Sequence, residues 1–69
     1  MEIKLDGEEF ILLQDVLKAS GMTDTGGGAK MAILEGKVSV DGEVELRRGK
    51  KIRSGQVVSF KGKKISVIE

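Results

Sequence analysis

Residues 47–53 read Arg-Arg-Gly-Lys-Lys-Ile-Arg and place five cations in seven positions. Arg makes planar, forked hydrogen bonds to phosphate or to a guanine edge, and Lys supplies compact point charges, so such a stretch can neutralise several phosphates of a polyanion at once. Cations on a sheet edge also keep stray strands from pairing there, but one or two Lys suffice for that purpose. A second candidate is Gly26-Gly27-Gly28-Ala29-Lys30. A nucleotide-hydrolysing phosphate loop needs Gly directly before its Lys and a hydroxyl directly after it. Here Ala29 precedes Lys30 and Met31 follows it, so that chemistry is excluded. A helix starting at this point would still offer free backbone N–H groups, with Lys30 nearby, to a single phosphate.

The rest of the composition narrows the chemistry further. The chain has 69 residues and no His, Cys, Trp, Tyr or Pro. Without Cys there is no disulfide framework, thiolate metal site or thiol nucleophile, and without His the commonest general base is missing. An enzyme is not expected, and neither is a cofactor or a metal. Phe10 and Phe60 are the only rings, and both fall in apolar patterns where core packing is the expected use. Modules that stack unpaired bases need more exposed aromatics than this. A nucleic acid would therefore be read through its backbone, its groove shape and its 2′-hydroxyls.

The net charge of +1 conceals a segregation. Residues 1–29 carry six acids and two bases, residues 30–69 carry ten bases and five acids, and residues 46–64 hold eight bases with no acid. A block of one sign repels itself, and a polyanionic partner relieves that cost.

These residues must be held by a small set of elements. One domain is all that this length accommodates. No basic and apolar leader opens the sequence, and no apolar run approaches the ~20 residues of a membrane span, so a cytoplasmic protein is expected. Residues 2–5 alternate and end at Asp6-Gly7, which reads as a short strand and turn. Phe10, Leu13, Val16 and Leu17 recur at helical spacing, which predicts an amphipathic helix from Phe10 to Ser20 closed by Gly21. After Met22-Thr23-Asp24, Thr25 stands as the N-cap of a second helix that runs to Glu35 and closes at Gly36. Its stripe of Ala29, Ala32, Ile33 and Gly36 invites close approach of the first helix, with Lys30 pointing away.

The remainder reads as sheet. Residues 37–40 and 43–46 alternate around Asp41-Gly42, the strongest hairpin signal in the chain. A three-residue loop that sets Val38 opposite Val44 and Lys37 opposite Glu45 keeps the faces consistent and is the expected register. Beyond the basic stretch, residues 57–61 and 64–68 form a last hairpin turning at Gly62-Lys63, with the N-terminal strand at its edge.

The motifs that carry a family likeness are D-V-L-K at 15–18, T-G-G-G-A-K at 25–30, A-I-L-E-G-K-V-S-V-D-G at 32–42 and R-R-G-K-K-I-R-S-G at 47–55. In order and spacing they resemble the S-four RNA-binding domain, also called the alpha-L motif, in its short stand-alone bacterial form. The likeness covers about residues 10–60. It implies an α+β fold: two short packed helices of helix-turn-helix type with a small, mostly antiparallel sheet of four or five strands. It also implies an RNA surface that joins the second helix to the loop after the hairpin. That surface maps onto Thr25, Lys30, Lys37, Arg47, Arg48, Lys50, Lys51 and Arg53. Many members carry Ser-Arg where this chain has Thr25-Gly26, so an RNA-contacting Arg is absent there, and Lys30 is expected to substitute for it only in part. Asp41 stands where Asn is usual and Gln56 where Asp is common, both at turns.

The expectation is thus a monomeric, non-catalytic binder of structured RNA, most plausibly ribosomal RNA during ribosome assembly or quality control. The alternative from another class is a protein-interaction adaptor that uses its acidic and basic halves on oppositely charged partners.

Overall fold

The strands and helices follow chain order as β1 (Glu2–Lys4), β2 (Ile11–Leu12), α1 (Leu13–Ala19), α2 (Gly26–Leu34), β3 (Val38–Val40), β4 (Glu43–Val44), β5 (Lys51–Ile52), β6 (Val57–Phe60) and β7 (Lys63–Ile68). They are taken from a computed structural model, which describes residues 1–23 and 26–69. The main sheet has the order β1-β7-β6-β3-β4, with β1 parallel to β7 and the other pairs antiparallel. Two-stranded β2-β5 forms a separate ladder. This is the α+β architecture that the motifs imply.

Alternation decides which face of the sheet is buried. Val38, Val40, Val58, Phe60, Ile65 and Val67 point inward, while Ser39, Ser59 and Ser66 fall between them on the outer face. The inner face meets Leu13, Val16 and Leu17 of α1 and Ala29, Ala32 and Ile33 of α2 in one core. The small side chains at 29 and 32 let the helices approach, as the stripe predicts. Each fully buried Val, Leu or Ile contributes roughly 1.5–3 kcal/mol through removal of its surface from water. Among the described residues no polar or charged side chain is buried, so the core is purely apolar.

Both helices close alike. The N–H of Met22 donates to Leu17 and that of Gly21 to Lys18, and the N–H of Lys37 donates to Ala32 and that of Gly36 to Ile33. Gly36 has φ +75°, a conformation that an L side chain adopts only with strain. The N-cap expected at Thr25 lies outside the described residues.

Three expectations are corrected. The first helix begins at Leu13 rather than Phe10, because Ile11 and Leu12 pair with Ile52 and Lys51 in a ladder that the helical spacing conceals. The Asp41-Gly42 hairpin has a two-residue loop, with Val40 opposite Glu43 and Ser39 opposite Val44. Asp41 and Gly42 have φ of 51° and 88°, the pair of positive values that a type I′ turn requires, and β4 is an exposed edge strand with no buried face to object to the register. Lys37 consequently pairs with Glu35 and not with Glu45. The last hairpin turns at Lys61-Gly62, one residue earlier than expected, with Phe60 opposite Lys63.

Ile52 is the apolar anchor of the basic segment, with no solvent exposure and a place in the core. Ile52→Ala is expected to cost about 2–5 kcal/mol in urea unfolding, and Ile52→Val about 0.5–1.5. Equal small losses in both would show that the segment is not held by core packing.

Candidate nucleic-acid interface

Five of the eight candidate residues lie on the segment between β4 and β6, and three local features fix its path. At its start Glu45 grips Arg47. The Arg47 Nε and Nη2 donate to the two carboxylate oxygens at 3.1 and 3.4 Å, and the Arg47 backbone N–H donates to Oε2 at 3.1 Å. The Arg47 hydrogen bonds, side-chain and then backbone, hold the Glu45 carboxyl below its usual range, and the same partner raises the guanidinium of Arg47.

The middle is fixed by the helix. A helix N-terminus leaves backbone N–H groups without intrahelical partners, and Leu12 at the N-cap makes no side-chain hydrogen bond to them. Leu13 donates instead to the carbonyl of Lys50 at 2.9 Å, and Gln14 to that of Arg48 at 3.1 Å. The basic segment therefore caps α1.

At its end the Arg53 N–H donates to Gln56 Oε1 at 2.8 Å, Gln56 Nε2 donates to Asp41 Oδ2 at 3.2 Å, and the Val57 N–H donates to Asp41 Oδ1 at 3.0 Å. Asp41 and Gln56, two departures from the family pattern, thus touch one another. The carboxylate stands at 41 and the amide at 56, so the donor and acceptor roles of an Asn–Asp pair are exchanged.

Phe10 is half-buried outside the core and lies beneath two cations, Lys51 Nζ at 4.9 Å and the Arg53 guanidinium carbon at 5.7 Å from its ring centroid. Its expected use in the core is corrected by this position. The electron-rich ring face attracts cations and holds two like charges side by side. Arg48 is exposed. Lys50 is half-buried and lines a depression with Asp41, Glu43 and Glu45, so part of its field is spent on neighbouring acids.

Lys30 is exposed on α2, as the stripe predicts. Lys37 is exposed and paired with Glu35 at 3.4 Å. It is linked to the loop through Gly36, where a Cβ would stand 3.8 Å from both Val44 and Leu46, the residue before Arg47. Thr25 lies outside the described residues. The structure therefore gathers Arg47, Arg48, Lys50, Lys51 and Arg53 on one anchored loop and brings Lys37 to its start. Residue types alone miss Phe10, Glu45 and Gln56 as the parts that hold these cations. The available signal was the placement of Glu45 two residues before Arg47.

Comparison with known proteins bears on the family and the fold. A sequence model of the S4 domain matches residues 3–68. The chain is 50% identical over 56 residues, 81% of its length and 80% of the relative's, to the protein named "Putative RNA-binding protein YbcJ" of Escherichia coli. YbcJ of Shigella flexneri matches equally. The solution structure of YbcJ from E. coli, described as revealing an alpha-L motif involved in RNA binding, superposes with a TM-score of 0.77 at 43% identity, covering 99% of this chain and 86% of that one.

Because the folded Glu45 carboxyl is held below its ordinary value, its contribution to stability is present above the unfolded pKa and is lost as pH falls through the folded one. A carboxyl-detected NMR titration is expected to place its midpoint below that of an unpaired glutamate. Glu45→Gln leaves the Arg47 charge uncompensated. The salt dependence of polyanion binding is then expected to steepen by up to about 0.9 in log–log slope, with tighter binding at low salt. Weaker binding would show that the carboxylate's aiming of Arg47 outweighs its neutralisation.

Proposed function

This chain belongs to the S4 domain family, and on that premise we propose that it is a non-catalytic, cytoplasmic, monomeric binder of structured RNA, most plausibly ribosomal RNA in ribosome assembly or quality control. The observation that carries the proposal is the loop 47–53, whose backbone is anchored to α1 and three of whose five cations, Arg47, Lys51 and Arg53, are positioned by Glu45 and Phe10. Phosphate contacts from Arg48, Lys51 and Arg53 supply most of the affinity in this reading, with Arg47 and Lys50 beside them. Lys30 on the second helix and Lys37 just beyond it extend the surface, and Thr25 is assigned to it by the family likeness alone.

Folded RNA is favoured over single strands because the rings are accounted for. Phe10 lies under Lys51 and Arg53, and Phe60 is buried in the core with Lys61 over its face at 5.2 Å. Neither is laid open as a platform for unpaired bases. Ribosomal RNA is the abundant folded RNA of a cell and supplies grooves and backbone of the required kind. The adaptor reading keeps one supporting observation, the exposed Val44 and Leu46 beside the loop.

The test is a titration against folded ribosomal RNA, an unstructured single strand and duplex DNA across a salt series, with excess duplex DNA as competitor. Preference for folded RNA that survives the competitor is expected, with affinity falling steeply as salt rises. Joint charge reversal of Arg48, Lys50 and Lys51 is expected to collapse the slope. Equal, salt-labile binding to all three, with RNA-independent association in sedimentation of nuclease-treated protein, would move the adaptor reading to first place.

A further inference from the structure

Three further lysines of the basic block, Lys61, Lys63 and Lys64, lie outside the anchored loop, on the tip of the β6–β7 hairpin. Their surroundings form a run of three adjoining depressions that share lining residues. Its first part, an open depression of about 470 Å³, runs along α2, where Gly28 and Met31 face Lys37 and Lys61. Its second part shares Met22, Phe60 and Lys61 with the first and adds Lys63. Its third shares Gly21, Met22 and Lys63 with the second and adds Lys64. Four lysines thus line three adjoining depressions. The acid among the lining residues is Glu35, and Lys37 already pairs with it.

Lys37, in the first part, follows Gly36, where a Cβ would stand 3.8 Å from Val44 and Leu46, directly before Arg47 of the loop. Lys61 is exposed at a turn position with φ 52°, and its ammonium stands 5.2 Å from the Phe60 ring centroid. Thr23 lines the first part, and among the described residues its enclosed Oγ1 has no hydrogen-bond partner.

We propose that this run of depressions is a second phosphate-binding track, which takes the RNA backbone onward from the loop, over the end of α2 and along Lys37, Lys61 and Lys63. The one lining acid, Glu35, is matched by Lys37, so the net charge along the depressions comes from Lys61, Lys63 and Lys64, and its sign suits a polyanion. The track rests on the RNA-binding reading of the loop, and it adds that the ligand contacts the protein on two adjoining sides.

The experiment compares the intact protein, Lys61→Asn with Lys63→Gln, and the loop variant Arg48→Glu with Lys50→Glu and Lys51→Glu, all titrated with folded ribosomal RNA across a salt series. Asn is chosen at 61 because it tolerates positive φ. The double variant is expected to bind roughly ten- to fifty-fold more weakly at 0.1 M salt, with a log–log slope lower by about 1.4–1.8, the share of two lost phosphate contacts. Lys63→Gln alone, at an ordinary strand position, is expected to take about half of that slope change. If the double variant binds as the intact protein does while the loop variant fails, the track is wrong and the loop reading stands. If the intact protein binds no RNA, both fall.

Discussion

Two backbone hydrogen bonds, from Leu13 and Gln14 to the carbonyls of Lys50 and Arg48, join the first helix to the most basic segment of the chain. Each party supplies what the other lacks. The helix starts without a side-chain cap, and the segment, crowded with like charge, has little regular structure of its own. The two-residue ladder of Ile11–Leu12 with Lys51–Ile52 extends the joint, and Ile52 carries it into the core. The helix, the loop and the core are therefore one mechanical unit. Its other face, the α1–α2 contact, sets where the second helix stands relative to the loop.

Magnitudes show which interactions do the holding. Burial of Ile52 is worth roughly 1.5–3 kcal/mol, and each backbone hydrogen bond about 0.5–1.5 net. The Glu45–Arg47 pair, whose guanidinium is exposed, adds little stability in water; it fixes where the guanidinium sits and offsets its charge. The same division holds at Phe10 and at the Asp41–Gln56–Arg53 chain, which order cations that would otherwise repel. Preorganisation of this kind matters for binding, because a side chain already in place loses less freedom when a phosphate arrives.

Much of this was legible in the residues. The small-residue stripe of α2, the closing glycines, the alternation of the last strands and the outward position of Lys30 all follow from period and residue type. The errors share a cause. Phe10, Ile11 and Leu12 fit a helical period, yet the partner that makes Ile11 and Leu12 a strand lies about forty positions away at Lys51 and Ile52, and no local pattern reports it. The Asp41-Gly42 register was assigned by matching faces, where backbone dihedrals at an unburied edge decided it. The grip of Glu45 on Arg47 was readable as proximity but not as geometry. The run of depressions along Lys37, Lys61 and Lys63 depends on strand pairing that places Val38 beside Phe60, a long-range fact.

The most direct measurement is an amide NMR titration of the protein with folded ribosomal RNA at moderate salt. The account predicts that the perturbed signals gather at residues 47–53, at Lys30 and Lys37, and along 61–63, while the acidic stretch at residues 2–9 stays unmoved. Perturbations confined to that acidic stretch or to the serine-lined outer face of the sheet, or none at all, would contradict it.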